Sequence, residues 1–182
     1  MNNQPRFLKS FAFQALAYLA SALVSIELTS TNGQVATLWI ANIIVFAISM
    51  RNDELRGPAG LAGIFVGNVV ANLIKGSSLV GACLFGVLSV IYIALLIHFA
   101  LGLLAKQDAA SNPVRTFATA LVAFAGITGA IAVALGAATT ALLQWNFSAT
   151  ASQWFINNVS TSAIFLRSSS PSSAPGSSSI CI

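Results

Sequence analysis

The sequence predicts an all-α fold, a polytopic bundle of about six transmembrane helices with both termini in the cytoplasm and a disordered Ser-rich C-terminal tail. Three observations carry this expectation. Of the 182 residues, 57% are hydrophobic and 7% charged, at a mean hydropathy of +0.85, whereas soluble domains carry about 25% charged residues. The apolar residues fall into long runs separated by short hydrophilic breaks. The Lys and Arg residues lie in those breaks, nearly all on alternate ones.

The same figures exclude several classes. Eight basic residues scattered through short breaks, at a net charge of +4, are not a nucleic-acid footprint, so no nucleic-acid partner is expected. Cys83 and Cys181 define neither a disulfide framework nor a metal site. Length alone suggests one domain.

Met1 to Ser10 reads as a polar, cytoplasmic N-terminus with Arg6 and Lys9, and Phe11 to about Leu28 as the first span. A basic start before an apolar run also describes a signal peptide, and Ala17, Ala20, Ser21 and Ala22 would allow cleavage. The length of the run and the further runs behind it favour retention. Glu27 to Gln34 is an uncompensated polar turn, and Ala36 to Met50 the second span, with Trp39 near its start as an interfacial anchor. Arg51 to Gly57 is a charged break, after which Pro58 suits the first turn of a new helix. The third span is Pro58 to Ile74, closed by Lys75-Gly76-Ser77-Ser78, and the fourth is Leu79 to about Leu104. Asn112-Pro113 marks a turn in the charged loop Ala105 to Thr116. Phe117 to Leu143 is the fifth span, Gln144 to Gln153 a polar loop, and Trp154 to Leu166 a short sixth segment.

Orientation follows from charge. With the N-terminus inside, the inner breaks hold Arg6, Lys9, Arg51, Arg56, Lys106, Arg115 and Arg167, and the outer ones only Lys75. The membrane-embedded domain is therefore expected over 11–166. Residues 167–182 (RSSSPSSAPGSSSICI) have no periodicity and cannot bury a core. They read either as a flexible tail or as the product of a frameshift or truncation.

The organising stretch is Leu61 to Gly76, LAGIFVGNVVANLIKG. Gly63 and Gly67 stand four apart, as do Asn68 and Asn72, and four residues return to nearly the same helix face. A glycine strip beside an amide strip suits neighbouring helices better than lipid. Gly126, Gly129 and Gly136 in the fifth span are further packing candidates. Asn42, Asn157 and Asn158 join Asn68 and Asn72 as amides costly in lipid unless paired. Three readings stay open for them: cross-helix bonds that hold the bundle together, a polar pocket, open to the outer side, for a small ligand, or water-filled packing. His98, alone among Leu, Ile and Phe, reads first as a packed residue bonded to a neighbouring helix and second as a ligand or proton relay; Glu27 reads as an interfacial acid. No HExxH, CxxC, phosphate loop, nucleophile elbow or intramembrane carboxylate pair occurs, so the expectation is no catalytic residue, no metal, no cofactor and no enzyme activity.

Trp39-Ile40-Ala41-Asn42, then a charged break, then Gly63-Ile64-Phe65-Val66-Gly67-Asn68-Val69-Val70-Ala71-Asn72-Leu73, resembles the membrane-associated sensor (MASE) domain family of the first type. Trp154 with Asn157 is similar to that family's later Trp-x-x-Asp segment. The likeness covers roughly residues 10 to 166. It departs where Ile40 and Ala41 replace two prolines, where Asn157 replaces the acid, and where the following glycine is absent. The resemblance implies a bacterial inner-membrane signal-input domain, placed in that family before a diguanylate cyclase, phosphodiesterase or histidine kinase. It also implies that Trp39, Asn42, Asn68, Asn72, Trp154 and Asn157 are the residues to examine for ligand contact. The expected partners are the lipid bilayer, an unidentified small-molecule or membrane-borne signal, and a second copy of the chain in a homodimer. A small transporter or transporter subunit using the Asn68/Asn72 cavity is the alternative from another class, and a non-functional fragment of a disrupted gene is a third.

Overall fold

The computed structural model describes residues 4–29, 40–105, 113–144 and 146–169. They form α1 (Gln4–Thr29), α2 (Ala41–Arg51), a 3₁₀ turn (Asp53–Arg56), α3 (Pro58–Ile74), α4 (Leu79–Ala105), α5 (Pro113–Leu143) and α6 (Phe147–Ser169). Among the described residues there is no strand, and the fold is all-helical. α1 packs along α3, α3 along α4, α4 along α5 and α5 along α6, while α2 touches α1, α4 and α6.

Among the described residues, three helical stretches are long and apolar enough to cross a membrane: Gln4–Glu27, Leu79–Gly102 and Val122–Leu143. α2 and α3 are apolar but shorter, at 11 and 17 residues. With a rise of about 1.5 Å per residue they reach roughly 16 and 25 Å, against a hydrocarbon core of about 30 Å.

α1 shows why this chain belongs in a membrane. Its buried strip is Ser10, Gln14, Tyr18, Ser21, Ala22 and Ser25, while Phe7, Leu8, Phe13, Leu16 and Val24 are exposed, Leu16 by 66%. The inward face is thus more polar than the outward one, the reverse of a soluble helix. Polar groups withdrawn from lipid must bond one another, and the exposed apolar side chains are what hydrocarbon solvates.

Glycine sets the closest helix contact. A Cβ on Gly63 would collide with the Phe11 carbonyl oxygen and lie 3.1 Å from Gln14 Cβ. One on Gly67 would lie 2.5 Å from the Ala15 carbonyl oxygen and 3.0 Å from Tyr18 Cβ. The α3 backbone therefore rests on the α1 backbone. Gly136 faces α6, where a Cβ would stand 3.0 Å from Phe147 Cδ2, and Gly129 makes only ordinary contact with Phe155 at 3.5 Å. Gly126 departs from the expectation: it points outward, with no described atom within 4 Å of a Cβ built there.

Several boundaries also differ from the sequence reading. α1 begins at Gln4 rather than Phe11, because Pro5 and the residues after it can continue one helix through Arg6 and Lys9. α5 begins at Pro113, four residues before the expected start. α6 begins at Phe147, not Trp154, because Asn146 caps it: its Oδ1 accepts from Ala149 N at 3.0 Å and Ser148 Oγ at 2.8 Å. α6 also runs through Ser169, so the first residues assigned to the tail are helical. Residues 170–182 lie outside the described residues, as do 30–39 with Trp39.

Candidate functional site

The site is built from the end of α3 outward. Gly76 adopts φ 85°, a conformation glycine takes without strain. This turns the chain so that Ser77 N donates to the Asn72 carbonyl oxygen and Gly76 N to that of Leu73, both at 3.0 Å, a Schellman closure. Ser78 then starts α4, its Oγ accepting from Gly81 N at 3.2 Å. The tight turn holds Asn72 and Ser77 together on one rim of a cavity.

From that rim a chain of hydrogen bonds crosses the bundle. Asn72 Nδ2 donates to Asn68 Oδ1 at 2.8 Å. Asn68 Nδ2 donates to the Tyr18 hydroxyl at 2.5 Å and to Ser89 Oγ at 3.0 Å. The Tyr18 hydroxyl donates to Asn42 Oδ1 at 2.9 Å. Asn42 Nδ2 donates to Asn158 Oδ1, and Asn158 Nδ2 to the Trp154 carbonyl oxygen, both at 2.9 Å. The path runs from α3 through α1 and α2 to α6, with α4 attached at Ser89. Every member donates in the same direction, so the dipoles reinforce one another in a medium that screens them poorly. Tyr18, Asn42, Asn68 and Asn158 are each buried to within 2%.

Beside this chain lies a cavity of about 390 Å³, within the range of small-molecule sites, roughly 300–1,000 Å³. Asn68, Asn72, Ser89, Asn157 and Asn158 supply polar lining, Phe85, Leu135 and Trp154 apolar lining, and Asn146, Thr150 and Gln153 further polar groups at the start of α6. Trp154 is braced from behind by Tyr92, edge to face at a ring separation of 5.2 Å, and Thr128 Oγ1 lies 3.3 Å from the Tyr92 hydroxyl.

The structure therefore brings together Asn68, Asn72, Trp154 and Asn157 as cavity lining and sets Asn42 directly behind them, as the link between α1 and α6. Two residues at the centre of the network, Tyr18 and Ser89, were not singled out from sequence, and neither was Gln14, one turn before Tyr18 on α1. Gln14 is fully buried and donates to Ser49 Oγ at 2.7 Å, leaving its own Oε1 without a partner among the described residues. The signal for Gln14 and Tyr18 was the strip Ser10, Gln14, Tyr18, Ser21 and Ser25, polar residues three and four apart on one face of an apolar helix. His98 does not pack inward as expected; it is exposed on α4. Glu27 pairs with Lys75 at 3.0 Å, both exposed, which places the ends of α1 and α3 at one level. Arg56 marks the opposite end, donating to the carbonyl oxygens of Ser49 at 2.8 Å and Met50 at 2.5 Å and pairing with Asp53 at 3.0 Å.

The arrangement offers hydrogen-bonding groups around a cavity. No described cavity-lining side chain is ionisable, and no group of three or more His, Cys, Asp or Glu gathers anywhere among the described residues. Comparison with family models, curated proteins and solved structures yields no match.

Proposed function

We propose that this chain is the signal-input portion of a bacterial membrane sensor, of the kind the MASE resemblance implies, and that the amide-lined cavity receives the signal. In this reading it crosses the inner membrane six times with both termini in the cytoplasm, and itself catalyses nothing. The topology rests on the distribution of basic residues, with Lys75 alone on the outer side. The short α2 and α3 cross where neighbouring helices and a locally thin bilayer cover them.

The observation that carries the proposal is the directional chain from Asn72 to Trp154. A molecule entering the cavity meets Asn68, Asn72 and Asn158, which already hold α3 to α1 and α2 to α6. It must share or replace those bonds. A ligand shifts an equilibrium only by its differential affinity for two arrangements, and a set of exchangeable cross-helix bonds supplies such a difference. An output domain beyond α6 would read the shift.

A chimera carrying a diguanylate cyclase after α6 tests this. Asn42→Leu cuts the α1–α2–α6 link without lining the cavity, and the expected result is altered cyclic dinucleotide output at unchanged protein level. Unchanged output would sink the proposal. The same cavity supports a transporter as the second reading, and accumulation of a solute in vesicles carrying the purified chain would establish that reading in place of the first.

A further inference from the structure

The cavity's chemistry narrows what can occupy it. We infer that its ligand is an uncharged small molecule that combines hydrogen-bond donors and acceptors with a flat apolar face, as neutral sugars, polyols and nucleosides do. This rests on the cavity being a signal site, and deepens that reading by naming the ligand class.

Three features lead there. First, the described lining offers only amides and hydroxyls and no compensating charge. An ion brought into the interior of an apolar bundle gives up its hydration, and neutral dipoles alone replace it poorly. Both charges at the ends of α1 and α3 on this side are already paired with each other, Lys75 to Glu27 at 3.0 Å. Second, the amides are not exhausted by their mutual bonds. Asn72 is half-buried on the rim and its described bonds use only Nδ2, at 2.8 and 3.0 Å to Asn68. The Asn72 Oδ1 acceptor is left for a ligand donor, and Thr150 adds a hydroxyl from α6. A side chain that both gives and receives suits a ligand whose groups do the same. Third, the lining also carries aromatic rings beside the amides. Trp154 and Phe85 line the same cavity, and the Trp154 ring packs edge to face with Tyr92 at 5.2 Å. A fixed indole offers an apolar plane with a negative face, which favours the C–H face of a sugar ring or a stacked base and disfavours an anion.

The test uses the full chain in nanodiscs and matched pairs differing only in charge: D-glucose and D-glucuronate, myo-inositol and its monophosphate, adenosine and its 5′-monophosphate. Equilibrium dialysis with labelled compounds should show saturable binding of at least one neutral member, with its anionic partner weaker by about tenfold or more. Asn72→Leu and the near-isosteric Thr150→Val should each weaken that binding, Asn72→Leu by about tenfold, the loss of one hydrogen bond. Leu16→Ala, on the outward face of α1, should leave it unchanged. An anionic member that binds more tightly than its neutral partner, or no binding by any neutral member, overturns the inference. The sensor reading fails separately: neutral binding with an unresponsive cyclase chimera keeps the ligand class and discards signal input. An Asn42→Leu response in that chimera without neutral binding does the reverse.

Discussion

The contact of α3 on α1 gives a sharp quantitative test in Gly67→Ala. A Cβ at this position would lie 2.5 Å from the Ala15 carbonyl oxygen, 3.0 Å from Tyr18 Cβ and 3.2 Å from Leu19 N. Ordinary contacts between heavy atoms fall near 3.5–4.0 Å, so α3 would have to retreat by about 1 Å. Two of the three obstacles are backbone atoms, which cannot rotate aside. Overpacking of this kind costs about 2–3 kcal/mol. Alanine is the better helix former by about 1 kcal/mol, which leaves a net destabilisation of about 1–2 kcal/mol. Gly126→Ala is the matched control, because no described atom lies within 4 Å of its added methyl, and it should gain the propensity term alone. The two variants should therefore differ by about 2–3 kcal/mol. At about 2–4 °C per kcal/mol for a chain of this size, their melting midpoints in one detergent should differ by roughly 4–12 °C, with Gly67→Ala the lower. Equal midpoints would refute the backbone-to-backbone contact.

Three further outcomes are expected. Tyr18→Phe and Asn42→Leu, alone and together, should show a coupling of about 0.6–1.7 kcal/mol in a double-mutant cycle, the range for hydrogen bonds between membrane helices; additive effects would remove the 2.9 Å bond from the account. Glu27→Gln should leave the melting midpoint within error, because both partners of the Lys75 pair are exposed, by 79% and 37% of their side chains; a drop of several degrees would show a buried role. In a background without Cys83 and Cys181, Gly57→Cys and Ser77→Cys should react with an impermeant maleimide from opposite sides of sealed vesicles, Ser77 from the outside; labelling from one side would discard the topology.

Much of this architecture is written in local chemistry. The third helix was legible to the residue, since Pro58 starts it and Lys75-Gly76 ends it by rules that act within one turn. Asn68 and Asn72 were legible as a pair because their spacing of four fixes a shared face. The start of α6 was hidden by composition: Phe147 to Gln153 looks like loop, and only the Asn146 cap shows that a helix begins there. Gly126 misled for another reason. A glycine permits close approach but does not require it, and whether a helix arrives is decided by tertiary packing. Tyr18 was missed because a tyrosine in an apolar run suits an interface as well as a core. The periodic strip from Ser10 to Ser25 settles it, since five small or polar residues on one side of a membrane helix must find partners inside.

The central claim is that the bundle is inside out, with lipid against its apolar exterior and water in its amide cavity. Thiol reactivity at two positions tests this directly. In a cysteine-free background, Leu16→Cys replaces an outward side chain that is 66% exposed, and Asn72→Cys lies on the rim of the amide-lined cavity. A water-soluble maleimide reacts only with a thiolate in water. In nanodiscs, the Asn72→Cys variant is expected to be labelled readily and the more exposed Leu16→Cys variant not. Faster labelling at Leu16→Cys than at Asn72→Cys would contradict it, since the outward face of α1 would then be wet and the cavity closed.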